Sequence, residues 1–260
     1  MLFTDSPAIA IEDLADHETV ILDTASTEGI NLTVKIGLAT TEVGLQLQSR
    51  FPQLGLVNNA LVTPGLLGLA TFKLNNVVVT PALRLWLIFH TLEIVYRDAY
   101  HNQLNDRYKA KWDEYKDLSS FASGLLFRVG VGTVVNPIPQ AVHPRLSLVG
   151  GSLAAAKYFV QIAWRNANGE EGGPSQMTAL DVPGGNTLLL VAVNPPLNAI
   201  AWNVYAGATP DSLFLQNPSP LDPSASWTAP GSGLLTSGAQ PGTGQQPTFL
   251  NPAPRILLRG

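Results

Sequence analysis

The feature that most constrains this chain is a change in the period of its apolar residues part-way along. Up to Phe127 apolar side chains return every three or four residues. From Tyr158 they return every second residue, and Asn136-Pro137-Ile138-Pro139 stands between the two patterns. The first spacing is one face of a helix and the second is one face of a strand. The two prolines deny the intervening backbone both a helix and a ladder hydrogen bond. The chain is therefore expected to be α+β in two domains. Residues 1–140 form a helical bundle, 141–250 an antiparallel β-sandwich, and 251–260 an extended tail. A length of 260 residues, 45% of them hydrophobic, is enough for a core in each half.

In the helical half, Glu12, Asp13 and Asp16 favour a helix N-terminus, and Gly29 is expected to end that helix. Asn31 then caps a second helix whose buried face is Leu32, Ile36, Ala39, Val43 and Leu47, stopped by Pro52. Residues 53–80 read as loop with a brief strand at Val77–Val79. Thr80-Pro81 opens the next helix as cap and first residue. Its start, Leu83-Arg84-Leu85-Trp86-Leu87-Ile88-Phe89, is apolar nearly all round, so it is either central in its domain or buried against a neighbouring copy. Leu83, Leu85, Trp86, Leu87 and Phe89 are accordingly the candidate subunit interface. Leu104, Tyr108, Trp112, Tyr115, Leu118, Ala122 and Leu125 make a further stripe, on the same helix or on a second one joined near 102–105. Val129, Val131, Val134 and Val135 suggest a strand.

In the second half, Tyr158, Val160, Ile162 and Trp164 alternate with more polar neighbours, and Asn166-Ala167-Asn168-Gly169 is a turn. Strands are expected at Met177–Asp181, Thr187–Val193, Ala199–Ala206, Ser212–Gln216 and Ser226–Thr228. Short strands with regular turns point to a sandwich of the immunoglobulin or fibronectin type III kind, with Trp164 and Tyr205 as its central pair. Residues 229–254 read as an extended tail.

Catalytic chemistry finds little support. There is no Cys, which excludes thiolate chemistry. His90 and Glu93 share a helix face, but a carboxylate-bridged metal site needs a second such pair. Asn166, Asn168, Glu170 and Glu171 resemble pieces of a calcium loop without its ligand order, and the turn explains them. Neither a phosphate loop nor a nucleophile elbow occurs. No catalytic, cofactor-binding or metal residue is expected. Residues 1–140 carry 10 Lys/Arg against 14 Asp/Glu, and 141–260 carry 5 against 5, so no basic stripe offers itself to nucleic acid. The uncharged run from Phe51 to Phe72 is broken by Pro52, Pro64 and several Gly, which argues against a membrane span.

Two stretches resemble head-to-tail connector (adaptor) proteins of tailed phages. One is Glu28-Gly29-Ile30-Asn31-Leu32-Thr33-Val34-Lys35. The other is Val79-Thr80-Pro81-Ala82-Leu83-Arg84 with Thr91-Leu92-Glu93-Ile94-Val95-Tyr96-Arg97-Asp98-Ala99-Tyr100, Asn105-Asp106-Arg107-Tyr108-Lys109 and Lys111-Trp112. Gly169-Glu170-Glu171-Gly172, Pro174-Ser175 and Trp202-Asn203-Val204-Tyr205 resemble fibronectin-type modules of phage structural proteins. The resemblance implies a helical domain of adaptor type and a non-enzymatic subunit of a virion neck ring, usually of twelve copies. Such a ring joins the portal protein to a tail or tail-completion protein, and DNA passes through it without sequence-specific binding. An appended β-sandwich departs from the pattern.

The C-terminus fits the same expectation. Pro252 and Pro254 keep it extended, Ile256, Leu257 and Leu258 are apolar, and Arg255 and Arg259 flank them. These five residues, Arg255 to Arg259, are the candidate portal-docking segment, able to add to a partner's sheet edge. Packing on the chain's own sandwich is the alternative. A second reading of the whole chain is a virion-displayed adhesin or carbohydrate-binding module using Trp202, Trp227 or Phe214 as an exposed platform.

Overall fold

The computed structural model describes residues 1–5, 7–51, 72–104 and 106–252. The fold is α+β: helices dominate the first half and antiparallel sheets the second. The chain divides into two compact units. One comprises Met1–Asp5 and Asn136–Gln246, and the other comprises the remainder.

The helical unit begins with α1 (Ile11–His17) and α2 (Ile21–Glu28), where the sequence suggested one helix. The break lies at Glu18, whose backbone is extended at φ −141° and ψ 94°. Gly29 ends α2 in the left-handed conformation at φ 66°, as expected of a residue without Cβ. Asn31 caps α3 (Leu32–Arg50) by accepting the Val34 N–H at 3.2 Å, and the expected face from Leu32 to Leu47 is buried. Thr80 caps α4 (Pro81–Gln103), with Pro81 at its first position. α4 and α5 (Asp106–Val129) are separate helices, and Leu104 between them is left-handed at φ 49°. On α5 the buried stripe is Tyr115, Ser119, Ala122 and Leu126, while Leu104 is exposed. α4 is the central element, since α1, α2, α3 and α5 all pack on it.

Two short strands complete this unit. β1 (Val131–Thr133) pairs antiparallel with β9 (Thr248–Leu250), with Val131 opposite Leu250. The stretch taken for a tail thus contains a strand that returns to the helical unit. Val129 is the last residue of α5 rather than strand, and Val77 makes a single bridge to Thr133. A Cβ on Gly132 would lie 2.7 Å from Thr80 Cγ2 and 2.9 Å from Pro247 Cβ, so only glycine lets β1 approach both.

The other unit is a sandwich of two antiparallel sheets. β2 (Arg145–Gly150), β5 (Asn186–Val191) and β8 (Ser226–Thr228) form one, in the order β2-β5-β8. β3 (Ala156–Arg165), β4 (Thr178–Val182), β6 (Ala201–Gly207) and β7 (Phe214–Leu215) form the other, in the order β4-β3-β6-β7. The four-stranded sheet has the C′-C-F-G order of a variable-type immunoglobulin sheet, and β2-β5 matches its B-E pair. β8, the last of the sandwich strands in sequence, takes the place beside E that D holds in those domains.

Tyr158, Val160, Ile162 and Trp164 of β3 all face the shared core, as the alternation predicted. The partner of Trp164 is Trp202, directly opposite it on β6, and not Tyr205. Tyr205 is three residues from Trp202, so the pleat turns it to the other face, where it packs with Ala163 and Leu213. Residues 1–5 belong to this unit: Asp5 accepts the backbone N–H groups of Leu2 at 2.6 Å and Gln140 at 3.0 Å.

Candidate subunit-contact surfaces

The interface residues suggested by the sequence lie in the chain's own core. Leu83, Trp86 and Leu87 of α4 are fully buried in a single chain, and Leu85 and Phe89 are half-buried. The reason is topological: a helix packed by neighbours on several sides needs apolar residues all round. Leu83, Trp86 and Leu87 are satisfied inside the domain, so these three give no surface for a second copy. The docking segment, Arg255, Ile256, Leu257, Leu258 and Arg259, lies outside the described residues.

Two polar clusters of the helical unit lie where its helices meet. His90 of α4 is buried and held between two carboxylates. Its Nε2 is 2.8 Å from Glu42 Oε2 on α3, and its Nδ1 is 3.0 Å from Glu93 Oε2. Ser119 Oγ on α5 is 3.4 Å from Nδ1. Burial alone would lower the imidazole pKa, but the hydrogen bonds and charges of Glu93 and Glu42 outweigh it and raise it. Burial would raise the Glu93 carboxyl, and its bond to His90 reverses that shift. A doubly protonated imidazole donating to both carboxylates fits this geometry. Both ring nitrogens are then engaged, and among the described residues no group of His, Asp and Glu is arranged to hold a metal ion. Glu42 had no local signal in the sequence, because it lies 48 residues from His90.

A second cluster closes on Glu18. Tyr115 donates to its Oε2 at 2.8 Å, and Lys111 Nζ lies 2.8 Å from the same atom. Burial raises the Tyr115 hydroxyl well above its ordinary range, and the Glu18 charge adds to that. These contacts hold the side chain of the residue whose extended backbone separates α1 from α2.

Two outer surfaces of the helical unit lack charge. Between Leu32 and Ser49 the charged residues are Lys35 and Glu42. Lys35 pairs with Asp98 and Glu42 with His90, both on α4. The outward side of α3 keeps Val34 61%, Leu38 39% and Leu45 61% exposed, with Thr41 in the same row. Steps of four, three and four residues make this a second apolar stripe opposite the buried one. On α5 the first half is densely charged, from Asp106 to Asp117, whereas 118–127 carries no charge. Ser120, Phe121 and Gly124 face outward there, and Phe121 is 60% exposed.

The sandwich does not present the aromatic platform that the sequence suggested. Trp202 is fully buried and Trp227 is 7% exposed, so neither can stack on a ligand, and Phe214 is half-buried. Trp202 donates its indole N–H to the Asp222 carbonyl at 2.8 Å. The calcium-like fragment is a turn. Asn166 Oδ1 accepts the N–H groups of Asn168 and Glu170 at 3.0 Å, and its amide donates to Glu170 at 2.7 Å. Glu171 accepts from the Tyr205 hydroxyl with both oxygens, at 2.9 and 2.8 Å, and from Asn203 at 2.6 Å.

No described helix is long and apolar enough to cross a membrane. No family model, no curated protein and no solved structure matches the chain.

Proposed function

We propose that the chain is a structural subunit of a tailed-phage neck, an adaptor located in the virion that assembles as a ring between portal and tail. The observation that carries this reading is the outward side of α3. A free domain in water places charge on such a face, yet the two charges between Leu32 and Ser49 are turned to partners on α4 while Val34, Leu38 and Leu45 face out. Repeated contact with like subunits explains that inversion. The adaptor-like segments from Glu28 to Trp112 lie in the same helical unit. Their hydrophobic residues now have a role in the domain core, which moves the ring contacts from α4 to the outer helices. In this reading the ring surrounds passing DNA without reading its sequence, which accords with the lack of a basic stripe.

Native mass spectrometry of the purified chain tests the proposal. A closed oligomer of defined copy number is expected. A stable monomer that binds glycans supports the displayed binding module instead, although the burial of Trp202 and Trp227 deprives that module of the platform it was expected to use. Deleting residues 254–260 tests the portal contact: the shortened chain is expected to keep its oligomeric mass and its melting temperature, and to lose attachment to portal-bearing heads.

A further inference from the structure

Ring closure requires two different surfaces, because a head-to-tail contact joins unlike patches, whereas a two-fold contact joins one patch to itself. Resting on the ring reading above, we propose that the outward face of α3 in one copy packs against the uncharged stretch 118–127 of α5 in the next. The two patches have matching chemistry. Val34, Leu38, Thr41 and Leu45 form a row at the spacing that seats a helix, and Ser120, Phe121 and Gly124 form an uncharged helical surface. α3 and α5 are separate helices, each packed on α4, so one subunit presents both patches.

Two glycines supply an independent reason. Gly37 lies in mid-α3 and Gly124 in α5, both exposed, and a Cβ built on either would meet nothing within 4 Å. Glycine inside a helix is less favourable than alanine, and nothing among the described residues excludes a methyl group at these two positions. Each lies within one of the two uncharged patches, one turn or less from an exposed Leu38 or Phe121. Close approach of a neighbouring helix backbone accounts for both. The charged first half of α5 would exclude an apolar helix by desolvation, which sets where along α5 the contact lies.

The chain has no cysteine, so single cysteines report the contact without background. Thr41→Cys and Ser120→Cys are exposed polar positions that leave the apolar residues in place. With a short bis-maleimide, a mixture of the two variants is expected to give a covalent dimer, and each variant alone only monomer. A strong dimer from Thr41→Cys alone would mean a two-fold contact and would overturn the proposal, as would absence of product from the mixture. Gly37→Ala and Gly124→Ala, in the cysteine variants, are expected to raise the melting temperature and to cut the mixed product about tenfold; an unchanged yield at a raised melting temperature would overturn the close-approach argument. The native mass of the unmodified chain separates the two levels. A closed ring without the mixed product overturns these faces and leaves the adaptor reading standing. A mixed product with no closed ring overturns the adaptor reading and leaves the faces standing.

Discussion

Glu42 on α3 lies 2.8 Å from Nε2 of His90 on α4, and the other ring nitrogen of His90 meets Glu93 at 3.0 Å. One buried imidazole therefore ties α3 to the central helix and gives the Glu42 carboxylate, beside the apolar stripe of α3, a partner within the chain.

Stability of the helical unit is expected to depend on pH through this cluster. His90 is raised above its ordinary 6.5, so its contribution is complete below about that pH and is lost as the pH rises through the folded value. Glu93 is held below its ordinary 4.5, so its contribution is present above that pH and is lost as the pH falls through its folded value. Resistance of the helical signal to urea should be greatest between roughly pH 4.5 and 6.5. In His90→Gln the decline above that window should vanish, with a loss of about 2 kcal/mol within it. An identical pH profile in the variant would remove His90 from this role.

Leu87→Asp is expected to unfold the helical unit rather than merely to disrupt assembly. Leu87 is fully buried within one chain, and an unpaired buried carboxylate costs on the order of 4 kcal/mol or more. Circular dichroism of the dilute variant decides between the two. A folded helical monomer would return Leu87 to the subunit interface.

Truncation should show that the sandwich includes the first five residues. A chain limited to residues 136–246 lacks Asp5, which accepts two backbone N–H groups, and the Met1 amino group, which donates to the Thr243 carbonyl. Asp5→Ala in the full chain removes the acceptor of the Leu2 and Gln140 N–H groups and is expected to cost about 1–3 kcal/mol in the unfolding of the β-unit. Equal urea midpoints for the two proteins would show the segment to be dispensable.

On the outer face of the four-stranded sheet, Glu171→Ala and Tyr205→Phe should each destabilise the sandwich, and their double-mutant cycle should show coupling of about 1–2 kcal/mol. The cause is the shared hydrogen bonds between the Tyr205 hydroxyl and the Glu171 carboxylate. Additive effects in urea unfolding would deny the coupling.

Much of the local structure was legible in the sequence because local causes produce it. Caps at Asn31 and Thr80, the left-handed Gly29 and the two-residue alternation from Tyr158 to Trp164 depend on residues within a few positions of one another. Single positions were misjudged where a distant partner intervened. The first helix breaks at Glu18, whose side chain is bound by Tyr115, 97 residues away.

What the sequence by itself determined is the set of periodicities, and with them the α+β class and the strand alternation. Only the tertiary structure decided which apolar surfaces are used up inside the chain. α4 read as an interface because all-round apolarity is the same whether neighbours come from one chain or from two, and its burial by four other helices resolves the ambiguity. The exposed face of α3 escaped notice for the converse reason. Its stripe from Val34 to Leu45 is as regular as the buried one, and Lys35 and Glu42 carry charges whose direction depends on Asp98 and His90. The pairing of β1 with β9 also belongs to the tertiary structure, since Thr133 and Thr248 are 115 residues apart and three-residue strands carry too little pattern to announce each other.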